Sequence, residues 1–287
     1  MENPHVYRRL ASDFARLVEQ GRALPLGGLT PIKTPEIPAD APKALFFAPH
    51  PDDETIMGGL ALRLLRESRW KVIDVAVTQG SRASRKVERF EELRGACNFL
   101  GFGLRQTGPE GLEGVTVKTR TNEPAKWAEN VKTISSILAE YKPRAVFLPH
   151  EHDWNATHIG THFVVMDALK ETAGLDCYLV EFEFWGQMAS PNLVVEYAPA
   201  EVGDLVAATS FHLGEVKRNP YHVNIPAWML DNVRRGAELV GGQGGAAPSF
   251  LYGQLFRLRS WRDGKAESCQ EGGRFLGAGE DPASLFQ

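Results

Sequence analysis

The chain has 287 residues, 43% hydrophobic and 24% charged, enough for a sizeable core in one large α/β domain or two smaller ones without disulfide or metal staples. Its formal net charge of −4 argues against a dedicated nucleic-acid or anionic-membrane binder. Three cysteines, Cys97, Cys177 and Cys269, show no metal-ligand spacing, which excludes a disulfide scaffold and suits a reducing cytoplasm.

The N-terminal residues lack a basic start followed by an apolar segment, so no secretory signal is expected. No run approaches the roughly 20 apolar residues that span a bilayer. A cytoplasmic protein is expected, with homo-oligomerisation left open.

Val6, Leu10, Phe14, Leu17 and Val18 recur at helical spacing and predict an amphipathic helix over 6–19. A proline-rich lead-in follows to residue 43. ALFFAPH at 44–50 is a short apolar run with a polar end, as in a buried strand that carries functional groups at its C-terminus. A helix over 57–68, a strand over 71–78 and a helix over 88–101 closed by Gly101 come next. The pattern continues with a helix over 127–141, a strand over 144–149 and a helix over 160–172. Strands over 177–185 and 192–197 and helices over 200–217 and 226–239 complete it, followed by a glycine-rich loop at 241–248. The residues after Arg259 have little periodicity. The expected organisation is a lead-in over 1–43, a catalytic domain over 44–259 and a tail over 260–287.

Alternating strands and helices predict an α/β, Rossmann-like, mostly parallel sheet with helices on both faces. Ligands of such sheets bind beyond the C-terminal strand ends. Two polar clusters fall there: His50-Pro51-Asp52-Asp53-Glu54 after the first strand, and residues 150–158, with His150, His152, Asp153, Trp154, Asn155 and His158, after the strand at 144–149. If the first cluster opens a helix, His50 and Asp53 share a face and suit one metal ion, while Asp52 is turned roughly 100° away, toward a metal-activated water. His158 and His162 are four residues apart on one helix face, and either can supply a third ligand, leaving a position open for water. The bland alternatives are an acidic helix cap and a surface histidine pair.

APHPDDE at 48–54 resembles the AHPDDE signature of the PIG-L/LmbE-like N-deacetylases, a family that includes the de-N-acetylase of N-acetylglucosaminyl-phosphatidylinositol and the deacetylases of mycothiol and bacillithiol synthesis. Thr78-Gln79-Gly80, the Arg89–Glu92 segment with Ala96, Leu100 and Gly101, and Tyr252-Gly253-Gln254-Leu255-Phe256 resemble further family motifs in the same order. The resemblance spans most of residues 44–257. It implies His50 and Asp53 as zinc ligands and Asp52 as general base. It further implies His158 as third ligand, with His162 taking that place if the register shifts by one helical turn. The implied reaction is hydrolysis of an N-acetyl, or N-acyl, group on an amino-sugar conjugate, with Zn2+ or another divalent ion such as Fe2+ as cofactor. Where the family has a helper histidine, this chain has Asn155, which donates a hydrogen bond but transfers no proton at neutral pH. His152, His162 and His222 are candidates to take over that role.

For the substrate, Arg82, Arg85, Lys86 and Arg89 follow the second strand and are candidates to grip a phosphate or carboxylate. Trp154 is a candidate to stack on a sugar ring, Phe184-Trp185 to wall the pocket, and Tyr221 and His222 to line it. Three other readings remain. One is a catalytically weak sugar-binding domain and another an amidase acting on a non-sugar amide. A nucleotide-binding Rossmann domain is disfavoured, because HPDDETIMGG lacks the G-x-G-x-x-G turn.

Overall fold

In the computed structural model, residues 5–287 are described. The elements in chain order are α1 (Val6–Arg22), β1 (Lys43–Ala48), α2 (Asp53–Ile56), α3 (Gly59–Ser68), β2 (Lys71–Ala76), α4 (Lys86–Leu100), β3 (Gly103–Gln106), α5 (Val117–Asn122) and α6 (Pro124–Tyr141). They continue with β4 (Ala145–Pro149), α7 (Ala156–Glu171), β5 (Cys177–Phe182), β6 (Leu193–Tyr197), α8 (Pro199–Thr209), α9 (Leu213–Arg218), α10 (Tyr221–Leu239), β7 (Tyr252–Arg262), β8 (Lys265–Ser268) and β9 (Arg274–Leu276). All form one sheet ordered β3-β2-β1-β4-β5-β7-β6-β9, with β8 paired to β7. Strands β1 to β5 are mutually parallel, and β7 runs antiparallel to both β5 and β6.

The central strands are mostly apolar, with Asp74 of β2 and Glu181 of β5 as buried exceptions, because both faces of the sheet are covered. Successive side chains of β1 point to opposite faces. Phe46 stacks on Phe147 and Phe182, with ring centroids 5.7 and 5.0 Å apart, in the core that α3, α4, α8 and α10 cover. Leu45 and Phe47 join the other core, beneath α6 and α7. The expected mostly parallel α/β sheet is therefore what forms.

The order of strands reverses at β1. Strand β2 follows on one side, and β4 lies on the other, with Phe46 opposite Phe147. Chain leaving the C-terminal ends of β1 and β4 thus opens onto one crevice, the usual ligand position in open α/β sheets. Both histidine-rich clusters emerge there.

The structure differs from the sequence expectations in four places. Strand β3 at Gly103–Gln106 carries too short an apolar pattern to be read. The segment expected as one helix over 200–217 is two, α8 and α9, broken at Ser210–His212. Helix α10 starts at Tyr221 and carries Pro226 inside it. The expected boundary at Arg259 falls inside β7, while β9 pairs with β6 and Leu285 and Phe286 are buried in the core. Helix α1 forms as expected, but with no buried residue. No helix among the described residues is long and apolar enough to cross a membrane.

Candidate active site

The turn after β1 builds the floor of the site. Asp52 precedes α2 with φ 125° and ψ −27°, a backbone conformation that costs a residue with a Cβ about 1–3 kcal/mol and persists only where the surroundings enforce it. Two groups of hydrogen bonds do so. The Asp52 N–H donates to Glu54 Oε2 at 2.9 Å. The Asp52 carbonyl accepts from Thr55 Oγ1 at 2.8 Å and from the N–H groups of Thr55 and Ile56 at 3.1 Å each. The consequence is a split of the two neighbouring aspartates, with Asp53 turned toward His50 and His158 and Asp52 toward Arg89.

His50, Asp53 and His158 converge, each offering a ligand atom within 4.8 Å of the others. Asp53 Oδ2 lies 3.4 Å from His50 Nδ1 and 3.3 Å from His158 Nε2, and the two imidazole centroids are 5.2 Å apart. Asp53 and His158 are buried. Neither ring nitrogen of His158 has a hydrogen-bond partner, although buried polar atoms are normally satisfied. Asp153 Oδ2 stands 3.7 Å behind His158 Nδ1. Burial alone would raise the Asp53 carboxyl, but the imidazoles of His158 and His50 outweigh it and hold the group well below the usual carboxylate range. Burial chiefly lowers His50, whereas His158, which burial also disfavours as a cation, is raised by Asp53.

Asp52 sits beside this group in a different environment. It is buried, and its Oδ2 lies 3.8 Å from the Arg89 guanidinium. Burial and then the charge of Asp53 push its carboxyl up to about 8, against the pull of Arg89. Two adjacent carboxyls thus have pKa values driven apart, as in sites where one group binds and the other exchanges a proton.

A cavity of about 980 Å³ opens over these residues. His50, Asp52, Asp53, Arg82, Arg85, Arg89 and Asn155 all line it, together with the aromatic wall of Phe184, Trp185 and Tyr221. The basic loop after β2 is less free than its composition suggests. Arg85 is paired with Glu215 at 2.8 Å and with Glu88 at 3.3 Å, and Lys86 with Glu113 at 2.8 Å and Glu110 at 3.1 Å. Arg89 donates to the Pro51 carbonyl at 2.8 Å, bracing the turn. Exposed Arg82 makes no ion pair among the described residues, and it is the cation of this loop left for a ligand.

Three expectations are corrected. His162 lies one turn along α7, outside the cavity. Its Nδ1 is 2.9 Å from the Pro149 carbonyl and 3.7 Å from Glu181. Glu151, His162 and Glu181 do cluster, but Arg257 and Arg259 already neutralise the Glu181 carboxylate and Arg257 also pairs with Glu151, so this is an ion-pair network. Trp154 is 78% exposed and does not line the cavity; Trp185 takes that position. His222 is buried away from the cavity, with no partner for either ring nitrogen. Asn155 does line it, but as the N-cap of α7. Its Oδ1 accepts from the N–H groups of Thr157 and His158 at 2.8 and 3.4 Å, leaving only its amide N–H donors for a ligand.

Sequence reasoning missed the buried pair of Glu54 and His212, 2.8 Å apart. Glu54 lies inside the APHPDDE motif, but nothing around His212 marks it. Asp153 was visible inside the second cluster without a distinguishing spacing.

The fold is that of an α/β protein built like the LmbE-type deacetylases. The model of the PIG-L family, described as GlcNAc-PI de-N-acetylase, matches residues 45–169, in line with the resemblance read from the motifs in that stretch. No curated protein matches the sequence. Solved structures with the same fold include the N,N'-diacetylchitobiose deacetylase from Pyrococcus horikoshii, at 16% identity and TM-score 0.53, covering 90% of this chain and 94% of that one. A zinc-inhibited form of teicoplanin deacetylase matches at 15% identity and TM-score 0.53, over 77% of this chain and 99% of that one. The 4-carboxy-2-hydroxymuconate hydratase from Pseudomonas putida KT2440 matches at 16% identity and TM-score 0.54, over 76% of this chain and 95% of that one. The same architecture therefore serves a deacetylase and a hydratase, and a functional reading has to rest on the site.

Proposed function

We propose that this protein is a metal-dependent hydrolase that removes an N-acetyl, or related N-acyl, group from an amino-sugar conjugate. The observation that carries the reading is the convergence of His50 and Asp53, which line the cavity, with the buried His158 behind them and a separately oriented Asp52 beside them. The donor set fits a divalent ion of the zinc type. Two imidazoles and a carboxylate are a common zinc ligand set, and the separations of 3.3 and 3.4 Å between Asp53 Oδ2 and the two imidazole nitrogens suit donors that share one small ion. The unpartnered buried Nε2 of His158, which faces Asp53, is then accounted for. When bound, such an ion supplies Lewis-acid polarisation and a positive charge that favours ionised Asp52.

The remaining chemistry falls to the chain's own residues. Asp52 accepts a proton from the attacking water at its carboxylate and returns it to the departing amine. It has both tasks because His50, assigned to the ion, is the only histidine lining the cavity among the described residues. Asn155 contributes an N–H donor to the tetrahedral oxyanion, but no proton. Tyr221, whose hydroxyl accepts from Asn219 Nδ2 at 2.9 Å, keeps its own proton to donate into the cavity. Phe184, Trp185 and Tyr221 offer a face for a sugar ring, and Arg82 a charge for an anionic substituent.

The test is free-amine release from a panel of N-acetyl amino sugars, coupled to elemental analysis of the purified protein. Stoichiometric metal with chelator-sensitive release supports the reading. Metal without release from any N-acetyl sugar returns the site to a sugar-binding role, and release only from non-sugar amides makes it a different amidase.

A further inference from the structure

We infer that His212, at the corner between α8 and α9, is a positioning residue for Asp52, acting through Glu54. The inference rests on the role proposed above for Asp52 and adds what holds that residue in place.

The Asp52 peptide sits in a conformation that ordinary residues avoid, so something outside the turn has to enforce it. Its N–H is held by Glu54 Oε2 at 2.9 Å, and the other oxygen of Glu54 faces His212 Nε2 at 2.8 Å. Both side chains are fully buried, so water does not substitute for either. One carboxylate thus bridges the His212 ring and the Asp52 backbone, and the imidazole fixes the rotation that presents Oε2 to the N–H. The carbonyl of the same residue is braced from the same corner: Thr55 Oγ1 donates to the Asp52 carbonyl at 2.8 Å and lies 3.0 Å from Thr209 Oγ1.

The corner is built to hold these groups still. His212 N–H donates to the Thr209 carbonyl at 3.1 Å, and the His212 carbonyl accepts from the N–H groups of Glu215 and Val216 at 3.0 Å each, so His212 opens α9. The break between α8 and α9, which the periodicity of 200–217 conceals, is what turns residues 209 and 212 toward the Asp52 turn. His212 lies beyond the stretch matched by the family model, residues 45–169.

The experiment compares His212→Leu, His212→Gln and Asp52→Asn with wild type, all metal-loaded. The probe substrates are N-acetylglucosamine and N,N'-diacetylchitobiose. Amine release, metal content and amide hydrogen exchange over residues 50–56 are measured. In His212→Leu, kcat is expected to fall by about 10²-fold, the scale of a reacting group misplaced by about 1 Å, with KM and metal content close to wild type. Exchange at the Asp52 amide is expected to speed up. His212→Gln, which keeps an N–H donor for Glu54, should recover most of both. A wild-type kcat in His212→Leu, a change confined to KM, or a Gln variant no better than Leu overturns the inference. If Leu prevents folding, His212→Asn, polar but too short to reach Glu54, takes its place under the same criteria. The exchange readout needs no substrate, and unchanged protection in the Leu variant is by itself decisive against His212. Full turnover by Asp52→Asn instead removes the base assigned above, a failure distinct from that of His212.

Discussion

Asp53 Oδ2 lies 3.3 Å from His158 Nε2, joining the turn after β1 to the first turn of α7. The parallel pairing of β1 with β4 makes this contact, since each strand delivers its C-terminal end to the same edge of the sheet. One oxygen of Asp53 also lies 3.4 Å from His50 Nδ1, so the three side chains behave as a unit.

That unit predicts a sharp difference between the two histidines of α7. His158→Ala should lose most of the bound metal, because it removes one of three converging donors. His162→Ala should keep the metal at wild-type stoichiometry, because His162 faces the Pro149 carbonyl and Glu181. Elemental analysis of the two purified variants is the check, and metal loss confined to His162→Ala would contradict the geometry.

Asp52→Asn preserves size and removes the proton acceptor. The metal should stay bound, and the chemical step should slow by about two to four orders of magnitude, the usual contribution of a positioned acid–base group. Single-turnover amine release with metal content measured in parallel decides it.

Asp153 stands 3.7 Å from His158 Nδ1, behind the histidine proposed as a ligand, and accepts from the Asn155 N–H at 2.8 Å, bracing the cap of α7. Asp153→Asn should weaken metal affinity by about 10- to 100-fold, as changes behind a ligand histidine commonly do. Competition with a chelator of known affinity measures the change. Unaltered affinity would remove Asp153 from the site.

Acid stability has an identifiable contributor outside the site. Burial works against ionisation of Glu151, yet the Arg257 guanidinium holds its carboxyl down to about 2, from a usual 4.5. A carboxyl depressed in the folded state stabilises it above the unfolded pKa, and that stabilisation is lost as pH falls through the folded value. Glu151 therefore contributes fully above about pH 4.5, and its contribution fades toward about pH 2. In denaturant melts across this range, Glu151→Gln should be less stable than wild type near neutrality, and the gap should close on acidification. A gap independent of pH would show that Glu151 acts through packing alone.

Much of this was legible along the chain because it depends on neighbours in sequence. The apolar runs at 44–48 and 145–149 are strands buried on both faces, and their polar ends mark the crevice. The three-residue spacing of His50 and Asp53 already placed them on one side of a turn. What misled the reading was local pattern with no information about partners. The basic loop after β2 carries no sign in its own sequence that Glu215 pairs with Arg85 and that Glu110 and Glu113 pair with Lys86. Trp154, attractive by its place in the second cluster, points to solvent, and Trp185 reaches the cavity.

The sequence by itself determined the fold class and the two polar clusters that carry His50, Asp52, Asp53 and His158, because periodicity and short motifs are local properties of the chain. Only the tertiary structure shows which of His158 and His162 lies beside Asp53. Both lie on one face of α7, and a single turn of that helix separates a position beside Asp53 from one beside Glu181. The same is true of His212: its meaning comes from a 2.8 Å contact with Glu54 made across the fold. Contacts between residues distant in sequence follow from how elements pack, and no spacing along the chain records them.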